Sequence, residues 1–381
     1  MNFDFSDELK QLREEARRFL TERNALAAAR RVLDGEGAHD QAMWREIGEM
    51  GWIGAAIPEE FGGAGLGHLG LCVLAEELGA FLAPVPFAST AYLAAEAILL
   101  AGSTAQKERH LPKLASGAAI GTLALAEGSG ALDLTRLSAS VAKDRLTGTK
   151  QPVPDGDIAD LAVVAAQGAD RRLGLFLVEL GGPGIARERI ATIDPSRSHA
   201  RLAFNGAAAE PLGAPGEGAA LLERLFDRAA VLFAFEQVGG AQAALDMAKS
   251  YALERYAFGR PIGSFQAIKH KLADVYVATE LARSNAYYGA WALSQNAPEL
   301  PIAAAAARVA ASEAFSLAAQ ENIQTHGGMG YTWAFDCHLF YRRAKLLALA
   351  LGSPREWKER LISRLEAQND AALDGATGIA P

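Results

Sequence analysis

Along the first hundred residues, apolar positions recur with helical spacing. Phe5, Leu9, Leu12, Ala16, Phe19 and Leu20 fall near a 3.6-residue period with charges between them, which predicts an amphipathic helix with Ser6 as its N-cap. The same pattern continues through 40–50, 69–81 and 89–100, punctuated by Pro58, Gly62-Gly63, Pro84 and Pro86. From about Ile120 the texture changes to short β-type runs at 161–165, 175–178 and 200–204. Turn signals separate them: Pro154-Asp155-Gly156, Gly181-Gly182-Pro183-Gly184 and Asp194-Pro195. After Pro215-Gly216 long helical patterns return at 217–255, 265–296 and 301–325, lengths suited to a helix bundle. Helices, then strands, then helices argue for segregated layers rather than alternating βαβ units. The expected domains are 1–120 (all-α), 121–215 (a small β domain) and 216–381 (an α-helical bundle).

Composition narrows the functional classes. The chain has 381 residues, 50% of them hydrophobic and 22% charged, which excludes a disordered or collagen-like polymer. Lys and Arg number 37 against 45 Asp and Glu, and a net charge of −8 gives no general attraction to nucleic acid or to an anionic membrane. Cys72 and Cys337 stand far apart, so neither a disulfide framework nor a zinc site is expected. His110, His270 and His326 lack ligand spacing, and no metal is predicted. The first residues lack a basic segment followed by an apolar one, so no secretory signal is expected. The longest uninterrupted apolar runs, 229–235 and 303–307, are far shorter than the roughly 18 residues of a spanning helix. A cytoplasmic protein is the expectation. The alanine-rich stretch at 303–311 reads as a tightly packed helix.

Gly65-Leu66-Gly67-His68-Leu69-Gly70 satisfies the G-x-G-x-x-G dinucleotide pattern. It lacks both the surrounding βαβ unit and an acidic residue about twenty positions on. A turn between two helices is the reading adopted.

Two later segments carry chemistry together. The first is Tyr251-Ala252-Leu253-Glu254-Arg255-Tyr256-Ala257-Phe258-Gly259-Arg260-Pro261-Ile262-Gly263-Ser264-Phe265-Gln266, and the second Gln324-Thr325-His326-Gly327-Gly328-Met329-Gly330-Tyr331-Thr332-Trp333. Arg255 and Phe258, at i and i+3 near a helix end, offer a planar donor fork and an aromatic surface, and Gln266 adds an amide. Gly327-Gly328 lets a ligand approach the backbone. Each feature alone has a plain structural reading: Arg255 as a cation at a helix C-terminus, Phe258 as core, the glycine pair as a C-cap. As a spaced pair, with Ile57-Pro58-Glu59-Glu60-Phe61-Gly62-Gly63 upstream and the α, β, α order, they resemble the acyl-CoA dehydrogenases.

The resemblance implies an α+β fold with an N-terminal helical domain, a central β-barrel-like domain and a C-terminal four-helix bundle. It also implies α,β-dehydrogenation of an acyl-CoA thioester with FAD, electrons passing to an electron-transfer flavoprotein, and a dimer or dimer of dimers built through the C-terminal domain. Arg255, Phe258, Gln266, Gln324, Gly327 and Gly328 would then hold the adenine and pyrophosphate end of an FAD whose flavin lies mainly in a neighbouring subunit.

The sequence departs from that family where the reaction occurs. The carboxylate base of most members aligns without gaps to Leu351, and the alternative base position aligns to Ala229; neither side chain accepts a proton. The T-E-P-x-x-G-S-D stretch that contacts the flavin becomes Ala126-Glu127-Gly128-Ser129-Gly130-Ala131-Leu132-Asp133. The W-I-T-type strand becomes Pro152-Val153-Pro154, and proline removes backbone donors. These losses imply a degenerate chain that completes FAD sites in a heterotetramer with a second, catalytic acyl-CoA dehydrogenase-like subunit. The alternatives are a self-sufficient homo-oligomer with a relocated base, or a flavin oxidase or monooxygenase using Asp336 or His338. The candidate relocated base is Glu236, on the helix face of Ala229 but about 10 Å further along. A carboxylate partnered at a helix interface is the plainer account of Glu236. Trp333 could line a channel or belong to the core.

Overall fold

The structure is a computed structural model, and it describes residues 5–128, 130 and 132–377, with side chains described to residue 370. The N-terminal layer contains α1 (Asp7–Glu22), α2 (Ala25–Leu33), α3 (Gln41–Glu49), α4 (Gly67–Ala80), a π-helical stretch (Ala88–Ala95) continuing directly into α5 (Glu96–Ala101), and α6 (Thr104–Ala115). Local chemistry sets the starts. Ser6 Oγ accepts from Leu9 N, Asp40 accepts from Met43 N, and Ser103 with Gln106 forms a reciprocal capping box ahead of α6. The π-helical stretch has all eight residues buried, an unusual length for a conformation that mostly occurs as single-turn bulges.

The central layer is one mixed sheet of β1 (Gly121–Ala124), β2 (Ser140–Ala142), β3 (Arg145–Pro154), β4 (Leu161–Gln167), β5 (Leu173–Glu179), β6 (Ile185–Arg189), β7 (His199–Ala208) and β8 (Glu210–Leu212), ordered β6-β7-β3-β2-β4-β5-β8. β1 and β2 share the gap between β3 and β4. β2 fills one end, and β1 pairs in parallel with β4 from Gly121↔Leu161 while its continuation bridges Glu127 to Gln151. β4 is an unbroken apolar run because it is buried along nearly its whole length; β7 alternates, burying Ala200, Leu202 and Phe204.

The C-terminal layer is α7 (Gly218–Glu254), a small hairpin of β9 (Tyr256–Ala257) and β10 (Arg260–Pro261), α8 (Gln266–Ser294), α9 (Leu300–His326), a 3-10 turn (Gly327–Tyr331), α10 (Cys337–Leu349) and α11 (Pro354–Thr377). α7 packs on both α8 and α9 and also on α4, so it ties the two helical layers together. The α4–α7 contact is backbone-close: a Cβ at Gly79 would strike the Glu236 carbonyl, and one at Gly239 the Glu76 carbonyl.

The segment 300–331 is, by length and composition, apolar enough to cross a membrane, which counting uninterrupted runs overlooked. Polar interruptions at Arg308 and at Ser312-Glu313 break the runs, yet the mean hydropathy of the window stays at 1.3. Its apolar residues serve the bundle, with 61% of the window buried against α7, α8 and their neighbours. Only Gly65-Leu66 of the glycine pattern lie in the turn before α4, whereas Gly67–Gly70 form that helix's first turn; Gly65 and Gly67 have positive φ, and β1 is the first strand to follow, more than fifty residues later.

Candidate functional site

The two spaced motifs meet at one end of the bundle. α7 and α9 run side by side, and the Tyr251 ring stacks on His326 with centroids 4.1 Å apart, while Phe335 closes the group edge-on. This contact sets the Arg255 end of α7 beside the Gly327 end of α9. Burial pushes the His326 imidazole below its ordinary value, against a bond between its Nδ1 and the Asn322 carbonyl. Beyond His326 the chain turns through Gly327 at φ 59°, and a Cβ on either Gly327 or Gly328 would meet only open space. The glycine pair is therefore an exposed backbone shelf, not a packing necessity.

Arg255 is the C-cap of α7, and its carbonyl accepts from Ile262 N at 2.7 Å, which closes the hairpin. The turn residues Phe258 and Gly259 both have positive φ, 53° and 77°, the backbone of a type I′ turn. Phe258 lies at the tip and is 96% exposed, so it is not core. Gln266 opens α8 beside the hairpin and is exposed, as are Arg255 and Gln324. Arg255 makes no ion pair among the described residues. All six residues assigned to the adenine and pyrophosphate end of FAD thus lie on the outer surface, and their donors, aromatic face and open glycine backbone fit that group.

The flavin-ring end does not fit in the same way. Glu127 is taken by the chain itself: it accepts from Ser138 N and Oγ, Ala139 N and the Lys150 ammonium at 2.8 Å. Burial would raise its carboxyl, but these donors outweigh burial and hold it at about 2. Lys150, which sequence reasoning overlooked, is fully buried and also donates to the Leu125 carbonyl, fastening the loop after β1 to β3. Asp133 is engaged by Thr135, Pro152 lies within β3, and Ser129 and Ala131 fall outside the described residues.

The two base positions carry no acid. Ala229 is fully buried in α7. Leu351 occupies the turn after α10 at φ 63°, its carbonyl accepting from Trp357 Nε1. The neighbouring carbonyls of Leu347 and Ala350 accept from Arg308, a buried arginine whose guanidinium also donates to Gln237 and is lowered by burial to about 9.

Glu236 is fully buried and ion-paired. Arg197 Nη2 donates to its Oε1 at 2.6 Å, and Arg343 Nη1 stands 3.7 Å away. Arg343 in turn donates to Asp194 at 2.6 Å and to Ser196, and Ser89 donates to the buried Asp155 at 2.6 Å. Burial lifts the Asp155 carboxyl despite the pull of Arg197. At Asp194 burial also pushes upward, yet Arg343 and Ser196 prevail and lower it. Tyr92, pushed up first by burial and next by Glu236, faces the same knot from the π-helical stretch. The arginines came from sequence positions 39 and 107 residues from Glu236, and no local signal pointed to them.

Asp336 is ion-paired with Arg30 of α2, which also donates to the Trp333 carbonyl; Trp333 Nε1 donates to Asp34, and His338 stacks on the Trp333 ring at 4.6 Å. Trp333 is half exposed and belongs to this clamp. Among the described residues no group of three or more His, Cys, Asp or Glu is placed to hold a metal, and both cysteines are buried and free.

Models of known protein families match two parts of the chain. The acyl-CoA dehydrogenase N-terminal domain matches residues 6–118 and the acyl-CoA dehydrogenase C-terminal domain residues 216–364. Acyl-CoA dehydrogenase IpdE2 of Mycobacterium tuberculosis is 38% identical over 94% of this chain and 98% of its own length. Among solved structures, the Tcur3481-Tcur3483 steroid ACAD superposes with a TM-score of 0.85 at 34% identity, covering 96% of this chain and 99% of that one. The Mycobacterium tuberculosis ChsE4-ChsE5 complex gives 0.86 at 29%, with the same coverage. Proteins of this group are FAD-dependent flavoproteins. With two domain models and relatives spanning nearly its full length, the chain belongs to the acyl-CoA dehydrogenase family.

Proposed function

We propose that this chain is the non-catalytic partner in a heteromeric, cytoplasmic acyl-CoA dehydrogenase, probing a neighbour's cofactor rather than running its own reaction. In this reading Arg255, Phe258, Gln266, Gln324, Gly327 and Gly328 bind the adenine and pyrophosphate of an FAD shared with a second family subunit. That subunit supplies the flavin platform, the base and the acyl-CoA site. When bound, FAD accepts the hydride that leaves the acyl β-carbon, and an electron-transfer flavoprotein would take up the electrons. This chain's share is positional: the Arg255 cation and the glycine shelf orient phosphates, and Phe258 presents a face to the adenine.

The observation that carries the proposal is the contrast between the two ends of the site. The cofactor-reaching residues face outward, and Arg255 has no ion pair among the described residues, whereas the base positions hold Leu351 and Ala229 and the flavin-side Glu127 is bound to Lys150. Two structural relatives, Tcur3481-Tcur3483 and the ChsE4-ChsE5 complex, each pair two chains, which supports a two-chain assembly here. The test is flavin quantification of the chain purified alone and after coexpression with an adjacent gene product of the same family. Substoichiometric flavin alone and stoichiometric, substrate-bleachable flavin in the complex are expected. Full, substrate-bleachable flavin in the isolated chain would refute the proposal.

A further inference from the structure

Phe258 sits in a conformation its own chain gives it little reason to keep. A bulky aromatic at φ 53° is strained, because the left-handed region places Cβ against the following carbonyl, and type I′ turns ordinarily put Asn or Gly there. Nor does burial hold it, since the side chain is almost wholly exposed. Among the described residues its one ring contact is edge-on with Phe265, the N-cap of α8, with centroids 6.3 Å apart at 80°.

Phe265 is itself fixed from another side. The Arg260 guanidinium lies over its ring, 4.0 Å from the centroid, within cation–π range. Arg260 makes no ion pair among the described residues, so its charge is committed to the ring rather than to an acid. Arg260 also pairs across the hairpin with Ala257, the residue before Phe258. Backbone pairing on one side and the Arg260–Phe265–Phe258 series on the other therefore bracket the strained tip. Gly263 completes the support, since it allows the turn after β10 to rest against the Ala252 carbonyl of α7.

We propose that Arg260 is a positioning residue of the cofactor-reaching hairpin: by lying on Phe265 it holds that ring against Phe258 and keeps Phe258 in its left-handed, outward conformation. The inference rests on the reading that Phe258 meets the adenine of a shared FAD. It adds that Arg260 acts through two aromatic rings rather than by touching phosphate.

The test is a double-mutant cycle on FAD affinity, using the full chain in complex with its flavin-platform subunit, stripped of FAD and retitrated by flavin fluorescence. Phe258→Ala should weaken FAD about five- to 150-fold, the range of base–aromatic stacking. Arg260→Met should weaken it about two- to fivefold, as for an exposed cation–π contact. In the Phe258→Ala background, or with Phe265→Leu, the Arg260 effect should disappear. Melting temperature should stay near that of the parent complex, and Arg260→Lys, which keeps a cation over the ring, should restore part of the loss. Equal losses from Arg260→Met with and without Phe258 would overturn the positioning role and indicate direct phosphate contact. No loss from Arg260→Met while Phe258→Ala still weakens FAD would overturn it too, leaving the shared-site reading intact. If Phe258→Ala leaves affinity unchanged, the shared-site reading falls, and the positioning role with it. Should Arg260→Met not yield a complex, Phe265→Leu tests the same link, and an effect of Phe265→Leu independent of Phe258 would overturn it.

Discussion

Glu236→Gln separates a structural carboxylate from a catalytic one. The substitution preserves side-chain volume, so it opens no cavity, but it removes the negative charge 2.6 Å from Arg197 and 3.7 Å from Arg343 in a site closed to solvent. Removing one partner from a buried ion pair typically costs about 3–5 kcal/mol, because the surviving ion is stranded. Asp155 remains as a second acid near Arg197, which places the expectation at the lower end, about 3 kcal/mol. At roughly 2 °C per kcal/mol for a chain of this size, the melting temperature should fall by about 6 °C. Pairing it with Arg197→Met should recover part of the loss, since Arg197 is then no longer stranded, although Asp155 loses its nearby cation, with a coupling of about 2 kcal/mol. The assay is thermal denaturation of the complex alongside anaerobic flavin bleaching by acyl-CoA. Bleaching should keep its rate. A general base, by contrast, would show a loss of about 10²–10⁴-fold. A loss of that size with an unchanged melting temperature would refute the structural reading and restore Glu236 as a relocated base.

Three further outcomes follow from particular contacts. Burial raises the Asp227 carboxyl from 3.8 to about 6, outweighing Arg364, whose Nη1 lies 2.8 Å away and pulls it down. A carboxyl raised on folding stabilises fully below its unfolded value and loses that contribution as pH rises through its folded one. Asp227→Asn should therefore gain on the parent by on the order of 2–3 kcal/mol between pH 4 and pH 7.5 in urea titrations; a less stable Asn variant at pH 7.5 would mean that Arg364 outweighs burial. Gly239→Ala should destabilise by several kcal/mol, about 3 or more, since its Cβ would meet backbone of α4, and a melting temperature within a degree of the parent would contradict that packing. Leu351→Glu should add no second equivalent of substrate-bleachable flavin to the complex, because the flavin side still carries Ala126 and Pro152; spectroscopic titration with acyl-CoA would detect one if it appeared.

The layered order was readable because periodicity is a local property. The predicted helices at 217–255 and 265–296 differ by a residue or two from α7 and α8, and the Ser6 cap is formed. Packing-dependent features were not readable. The helical pattern at 89–100 begins as a π-helix, and α2, α6 and α11 escaped notice among short or mixed patterns. At the site, the motif residues could be found because they are contiguous in sequence. The partners of Glu236, and Lys150 beneath Glu127, could not, since a lysine or arginine in sequence reads as surface until a distant acid is placed beside it. In the glycine pattern at 65–70 the informative residue was His68, which bonds the buried Glu96 at 2.7 Å; Glu96, pushed up by burial, is brought down to about 2 by His68 and Arg228.

The charged knot around Glu236 also bears on how the chain comes apart. Its members arise from every layer: Tyr92 and Ser89 from the first, Asp155, Asp194 and Arg197 from the sheet, Glu236 and Arg343 from the bundle. Detaching any one layer would leave unlike charges divided across a newly opened seam, some still facing low-dielectric packing. Partial unfolding thus begins with a large penalty, and the three layers are bound into a single cooperative transition. Calorimetry should record one endotherm rather than three, and a fragment that stops short of Arg343 should be degraded rather than persist as a folded remnant.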